Sequence, residues 1–263
     1  MAKIEQTTYQ IPYANTVVDL RVDDQGEGQT FLLLHGGAGP GSVARFASLL
    51  SEKHSVRVIT PTHPGFNGTT RPNELNSVRG LAQLYAELLS QLEVDDVTVI
   101  GNSVGGWIAA EMALLTIPHV DRIILVNAVG IDVPNHPVTD ISKLSPDELM
   151  SRSYHDPKPF RIDPASLTDV QRAGMAANRS ALNIYGGTTS TDPSLAGRLA
   201  KVSVPVLIVW GASDRIVDVD YGRAWAGAIP NAKFLLLSEA GHVPQIEKPE
   251  KLVEVIWNYV EEK

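Results

Sequence analysis

One stretch constrains the architecture of this chain more than any other. The apolar run at 97–100 meets Gly101-Asn102-Ser103-Val104-Gly105, and a helix-like run at 106–115 follows with no linker. A strand that stops at Gly-x-Ser-x-Gly and turns at once into a helix needs a sharp turn, in which side chains flanking the serine would collide with neighbouring backbone. The serine hydroxyl is pushed out at the tip. The N-terminus of the next helix offers unpaired N–H groups and a positive dipole end to negative charge.

The rest of the chain extends that pattern. Residues 30–34 form a continuous apolar run, as expected for a strand covered on both faces. Residues 43–53 have helical spacing through Phe46, Leu49 and Leu50, 56–59 read as a strand, and 77–92 place Leu81, Leu84, Tyr85, Leu88 and Leu92 on one helical face. Further strands are expected at 122–126, 204–210 and 233–237, and helices at 219–228 and 249–262. Residues 16–22 alternate and read as an edge strand, with a turn at 23–28.

Between 132 and 200 the pattern breaks into scattered Pro, Asp, Ser and His with short helical pieces such as 170–184. The expected fold class is α/β, a mostly parallel central sheet flanked by helices. Residues 1–131 and 201–263 would build the core, and 132–200 a mainly helical cap inserted at the carboxyl ends of the strands. That end is where open α/β sheets keep their ligand crevice, so the insertion is placed to act as a lid.

Composition narrows the function. The 263 residues suit one large domain or a domain carrying an insertion. A net charge of −8 disfavours nucleic acid or an anionic membrane as the main partner. The lack of cysteine rules out disulfides, thiolate metal sites and a cysteine nucleophile. No apolar run approaches membrane-spanning length, and Met1-Ala2-Lys3-Ile4-Glu5-Gln6 lacks the apolar core of a signal peptide. The expectation is a cytoplasmic protein acting on a small molecule, needing neither metal nor organic cofactor, with a homodimer as the candidate assembly.

Three further stretches fall just past strands. His35-Gly36-Gly37-Ala38-Gly39-Pro40-Gly41 follows 32–34, and a glycine-rich turn there lets backbone N–H groups approach a substrate. It lacks the Gly-Lys-Ser/Thr ending of a P-loop and is not a Gly-x-Gly-x-x-Gly fingerprint. Its most economical role is one oxyanion donor, the N–H of Gly37, with the N–H of Val104 as the other. Asp214, in Gly211-Ala212-Ser213-Asp214-Arg215, follows 204–210 and could orient a histidine; its rivals are Asp218, Asp220 and Asp132. Position 127, at the end of 122–126, is Asn and cannot act as the acid. His242 follows Gly241 on the short loop after 233–237. Of the other histidines, His54, His119, His136 and His155 lie in polar or loop contexts, His35 shapes the glycine turn, and His63 is the rival base. The resulting order, Ser103 then Asp214 then His242, supplies a nucleophile, an orienting acid and a general base.

With these pieces the chain resembles an α/β-hydrolase fold protein over nearly its whole length. The resemblance is carried by His35-Gly36-Gly37, Pro64-Gly65-Phe66-Asn67-Gly68-Thr69, the pentapeptide around Ser103, Gly211-Ala212-Ser213-Asp214, Gly241-His242-Val243-Pro244 and Glu247-Lys248-Pro249. The turn ending Gly39-Pro40-Gly41 resembles that of carbon–carbon bond hydrolases of aromatic-ring degradation, and also of esterases and lactonases. His63 departs from the resemblance, since relatives commonly carry Asp there. A serine at 103 argues against haloalkane dehalogenases and epoxide hydrolases, which need a carboxylate nucleophile.

The resemblance implies a pocket between the sheet and the cap, with His35, Asn102, Phe160, Met175, Tyr185 and Val243 as candidate lining. The expected activity is a carboxylesterase working through an acyl-enzyme. A lactonase or a C–C bond hydrolase of a β-diketone-like acid is the alternative, and a non-catalytic ligand-binding protein is the alternative from another class.

Overall fold

The computed structural model describes residues 3–262. Its frame is one eight-stranded sheet in the order β1-β2-β4-β3-β5-β6-β7-β8. The strands are β1 (Ile4–Tyr13), β2 (Thr16–Gln25), β3 (Thr30–Leu34), β4 (Arg57–Pro61), β5 (Val97–Asn102), β6 (Val120–Val126), β7 (Val206–Gly211) and β8 (Lys233–Leu237). The pairs β1/β2 and β2/β4 are antiparallel, and all pairs from β4/β3 to β7/β8 are parallel. The helices are α1 (Gly41–His54), α2 (Val78–Gln91), α3 (Val104–Leu114), α4 (Pro146–Ser153), α5 (Asp169–Gly186), α6 (Leu195–Leu199), α7 (Val219–Ala228), α8 (Pro244–Glu247) and α9 (Pro249–Glu261).

The apolar strands are buried on both faces because their side chains alternate between two cores. Phe31, Leu33, Ile100, Ile124, Val126, Leu207 and Val209 point to one side, where Phe46 and Leu50 of α1 and Leu252 and Ile256 of α9 cover them. Leu32, Leu34, Val97, Val99, Ile123, Leu125, Ile208 and Trp210 point to the other, under α2, α3 and α7. Helix α3 has no polar stripe at all. It is buried from Val104 to Ala113, Glu111 included, and the Glu111 carboxylate is matched by a two-pronged contact to Arg198 of α6 at 2.6 and 2.7 Å.

The order of β4, β3 and β5 sets the position of the site. From β3 the chain goes through α1 to β4 on one side, then through α2 to β5 on the other. The loops after β3 and β5 therefore diverge at the carboxyl ends, which makes a crevice at this switch point.

Two local expectations are corrected. The strand expected at 16–22 is not at the edge: β2 lies between β1 and β4. The turn expected at 23–28 begins later, because Asp23, Asp24 and Gln25 still pair with Thr60, Ile59 and Val58. Asp24 is kept in the strand by Arg57, whose guanidinium donates to it at 2.6 Å.

Between β6 and β7 the described residues hold no strand of the sheet, only helices α4 to α6, short 3-10 turns and one bridge between Gly130 and Thr191. Capping boxes start the longer two helices, Ser145 with Glu148 on α4 and Thr168 with Gln171 on α5. Among the described residues no helix is long and apolar enough to cross a membrane.

Candidate active site

β5 ends at Asn102, α3 begins at Val104, and Ser103 between them has φ 56° and ψ −119°. That is a strained conformation for a residue with a side chain, and it holds only because the surroundings fix it. The Ser103 N–H donates to the Val126 carbonyl at 3.0 Å, and its own carbonyl accepts from Val129 at 3.2 Å and Gly106 at 3.0 Å. The turn closes so tightly that a Cβ on Gly101 would lie 2.1 Å from the Gly105 carbonyl oxygen, and one on Gly105 2.2 Å from that of Leu34.

The half-buried tip of this turn meets two other strand ends. The Ser103 hydroxyl donates to His242 Nε2 at 3.0 Å, and His242 Nδ1–H donates to Asp214 Oδ2 at 2.8 Å. Both Asp214 and His242 are buried, so this hydrogen-bonded line is largely screened from water. Asp214 is held by donors on every side: Asn127 Nδ2–H reaches Oδ2 at 2.7 Å, and the N–H groups of Ile216 and Val217 reach Oδ1 at 2.8 and 3.1 Å. A carboxylate with this set of donors is fixed in direction.

The N–H of Val104 opens α3, where the first turn of a helix has no internal acceptors. Across the crevice, Gly36 and Gly37 lie on the turn after β3. A Cβ on Gly36 would be 3.1 Å from Ser103 Cβ, so this turn runs directly alongside the serine. Leu182 of α5 covers it, with Cδ2 2.8 Å from where a Cβ on Gly37 would stand.

The rival acids and bases have other partners. Asp218 caps α7 through the Tyr221 N–H and pairs with His136, and Asp220 pairs with Arg223. His63 is fully buried in a cluster with His35 and Tyr85. His54 stacks on Trp257, His119 pairs with Asp95, and His155 with Ser213.

Several candidate lining residues face elsewhere. His35 is 0% exposed and lies beneath the glycine turn. Asn102 is buried, and its amide is spent inside: Nδ2–H donates to the carbonyls of Val126 and His242, and Oδ1 accepts from Gln245. Its role is thus to tie the serine turn to the His242 loop. Tyr185 is buried with its hydroxyl on the Pro64 carbonyl at 2.9 Å. Val243 is buried at the start of α8. Phe160 stacks on Tyr154. Met175 is 58% exposed, because α5 is mostly solvent-facing until Asn178.

Five residues with a part in the site were missed. Asn127 and Gln245 are polar residues in apolar surroundings, a signal in principle for internal hydrogen bonding. Leu182 shares a helical face with Asn178 and Tyr185, and Asn178 bonds the Ala38 carbonyl and the Asn67 N–H. Glu247 accepts from the N–H groups of Gly241 at 2.6 Å and His155 at 2.7 Å.

The chain is similar to several known proteins along most of its length. The 2-hydroxy-6-oxononadienedioate/2-hydroxy-6-oxononatrienedioate hydrolase of Paraburkholderia xenovorans (strain LB400) is 25% identical, covering 92% of this chain and 91% of the relative. The 2-hydroxy-6-oxo-6-phenylhexa-2,4-dienoate hydrolase of Burkholderia cepacia is 25% identical over 87% of this chain and 86% of its own. Among solved structures, a thermophilic esterase from Thermogutta terrifontis superposes with a TM-score of 0.75 at 22% identity, covering 97% of this chain and 98% of that one, a likeness of fold. The sequence profile described as Alpha/beta hydrolase family matches residues 31–255. Spanning the sheet from β3 to α9, that match establishes that this chain belongs to the alpha/beta hydrolase family.

Proposed function

We propose that this hydrolase uses Ser103 as its nucleophile and cleaves a carbon–carbon bond next to a ketone in a dienoate-type acid. The observation that carries the nucleophile assignment is the unbroken line Ser103 Oγ–H to His242 Nε2 and His242 Nδ1–H to Asp214, with the serine strained at the strand end. The substrate class is supported by the curated relatives, whose names specify 2-hydroxy-6-oxo-dienoate-type acids.

In this reading Ser103 Oγ adds to the ketone carbon while its proton passes to His242 Nε2. The carbonyl electron pair moves onto oxygen, where the N–H groups of Gly37 and Val104 hold it. Collapse restores the carbonyl and breaks the adjacent carbon–carbon bond. The bond breaks in the keto tautomer of the acid, in which the carbon next to the ketone is sp3 because the 2-hydroxyl proton has moved to it. The departing pair is delocalised through the remaining double bond onto the 2-oxo oxygen, and the His242 imidazolium protonates that dienolate. Water, deprotonated by His242, then releases the acyl group as a carboxylic acid. Asp214 keeps the imidazole oriented and balances its charge. Residues 132–200 serve as the cap over this crevice, with Leu182 against the oxyanion turn.

The second reading, a carboxylesterase, needs the same steps with an alcohol as the leaving group, and the donor set treats both tetrahedral intermediates alike. A ring-fission dienoate, p-nitrophenyl esters and lactones assayed side by side separate them. A kcat/KM for the dienoate above those for the esters supports C–C cleavage, and the reverse ranking makes the protein an esterase or lactonase. Covalent labelling by a fluorophosphonate should vanish in Ser103→Ala; labelling that persists there overturns the nucleophile assignment. No turnover and no labelling in wild type would favour a binding protein.

A further inference from the structure

The Gly36 carbonyl and the Gly37 N–H share one peptide plane. In a trans peptide the two point in opposite directions, and no peptide bond among the described residues is cis. Whatever holds that carbonyl therefore aims the N–H. Two donors hold it: His35 Nδ1–H at 2.8 Å and the Gly39 N–H at 3.1 Å.

The His35 tautomer this requires is set from outside. His35 Nε2 accepts from the His63 N–H at 3.1 Å, a group that can only donate, so the ring proton must be on Nδ1. His63 Nε2–H in turn donates to the His35 carbonyl at 2.8 Å, a group that can only accept. His63 Nδ1 is thereby left as the acceptor of the Tyr85 hydroxyl. The two imidazoles lie against each other with ring centroids 3.7 Å apart, and all three side chains are 0% exposed. Burial lowers both imidazoles, His35 to about 4 and His63 well below its ordinary value, so the neutral tautomers persist at physiological pH.

We propose that Tyr85, His63 and His35 form a positioning relay that aims the Gly37 N–H at the developing oxyanion. This rests on the serine-hydrolase reading above. The relay also accounts for a histidine at 63, where the resemblance leads one to expect Asp. A carboxylate there could accept a hydrogen bond but could not donate one to the His35 carbonyl while charged.

The test uses Tyr85→Phe, His63→Gln and His35→Gln, with the surface variant His136→Gln as control. Each is assayed with the substrate that wild type turns over fastest, and kcat is normalised to active sites counted with a fluorophosphonate. Inhibition by a trifluoromethyl ketone, whose adduct with the serine bears an oxyanion, is compared with inhibition by the product acid.

A misaimed donor should lower kcat per site by about 10- to 100-fold, and removing one outright costs about 10²–10³. KM should stay within about threefold, because the interaction is made only in the transition state. The ketone should weaken in parallel while the product acid does not, and the control should match wild type. Folded variants with unchanged kcat per site and unchanged ketone inhibition overturn the relay. If His63→Gln does not fold, Tyr85→Phe, which removes a single oxygen, decides the matter. A wild-type protein that takes no label and ignores the ketone overturns the serine-hydrolase reading instead.

Discussion

Asn127 donates its amide to Asp214 Oδ2 at 2.7 Å, the same oxygen that accepts the His242 Nδ1 proton at 2.8 Å. The other end of the amide is fixed too, since Oδ1 accepts from the Gly211 N–H at 3.3 Å. The residue at the end of β6 thus holds the Asp214 carboxylate in line with His242. Asn127 has φ 48°, so Asn127→Gly removes the side chain without adding backbone strain. A hydrogen bond to a charged group contributes about 1.5–3 kcal/mol, so denaturant unfolding should show a loss of that order. We also expect kcat to fall by about tenfold as Asp214 loses its alignment. Wild-type kcat in the glycine variant would remove Asn127 from the site.

Asp214→Asn should be far more damaging. Ile216 and Val217 aim N–H groups at Oδ1, so the new amide must keep its oxygen there and turn its NH₂ toward His242 and Asn127. Two donors then face the substituted nitrogen, and His242 is driven to the wrong tautomer. By analogy with a misoriented triad histidine, kcat should drop by about 10⁴ with the fold retained. Asp132→Asn, which changes a rival on another loop, should leave kcat near wild type. The opposite pattern would transfer the acid role to Asp132.

Acid should weaken the fold through His35. Its ordinary value is 6.5, and burial lowers it to about 4 in the folded chain, so below 6.5 the unfolded chain takes up a proton that the folded chain refuses. The stability is fully present above 6.5 and is lost progressively between 6.5 and about 4. The loss from this one group is roughly 3 kcal/mol, at 1.36 kcal/mol per pH unit. Urea melts at pH 7 and pH 5 should show a smaller difference in His35→Gln than in wild type. An equal pH dependence in the two proteins would clear His35 of this role.

Arg198→Met should destabilise the core from a distance. Glu111 is 3% exposed in the middle of α3, and Arg198 is its cationic partner, itself steadied by Asp192 at 2.7 Å. Removing one partner of a buried pair leaves an uncompensated charge and costs about 3–5 kcal/mol. The double variant with Glu111→Leu should recover much of that loss. Non-recovery in thermal melts would show that Arg198 acts by packing alone.

What could be read in advance follows from how local each signal is. The strands β3, β5 and β7 declare themselves as apolar runs and helices α1 and α2 through a period of 3.6, and the residues at the strand ends inherit a position from them. Ser103, Asp214 and His242 were therefore legible as strand-end residues, and the structure brings them into one hydrogen-bonded line. β1 was not legible: only Ile11 of its ten residues is buried, so an edge strand with Pro12 in it carries no apolar period. Nor could Asn102 be distinguished from a pocket residue, since its partners Val126, His242 and Gln245 lie on three other segments. For Met175 the expected helix at 170–184 is present as part of α5, which runs on through Tyr185, but the point at which α5 meets the body depends on Asn178 finding Ala38 and Asn67.

Glu247 joins the His242 loop to the segment after α4. Oε2 takes the Gly241 N–H at 2.6 Å, while Oε1 takes those of His155 at 2.7 Å and Asp156 at 3.4 Å. Ser153, the last residue of α4, supplies the carbonyl that accepts the His242 N–H at 2.7 Å, so the histidine backbone is bedded on the end of that helix. In Glu247→Gln one oxygen becomes a donor, and it must face an N–H group on one side or the other. Amide exchange at residues 153–156 and 241–242 should speed up together, and kcat should fall by about tenfold with KM little changed, as befits a displaced base. Glu239→Gln, which loosens an exposed pair with Lys248, should leave kcat unchanged. Exchange that quickens at 153–156 without any change in kcat would mean that His242 keeps its place independently of Glu247.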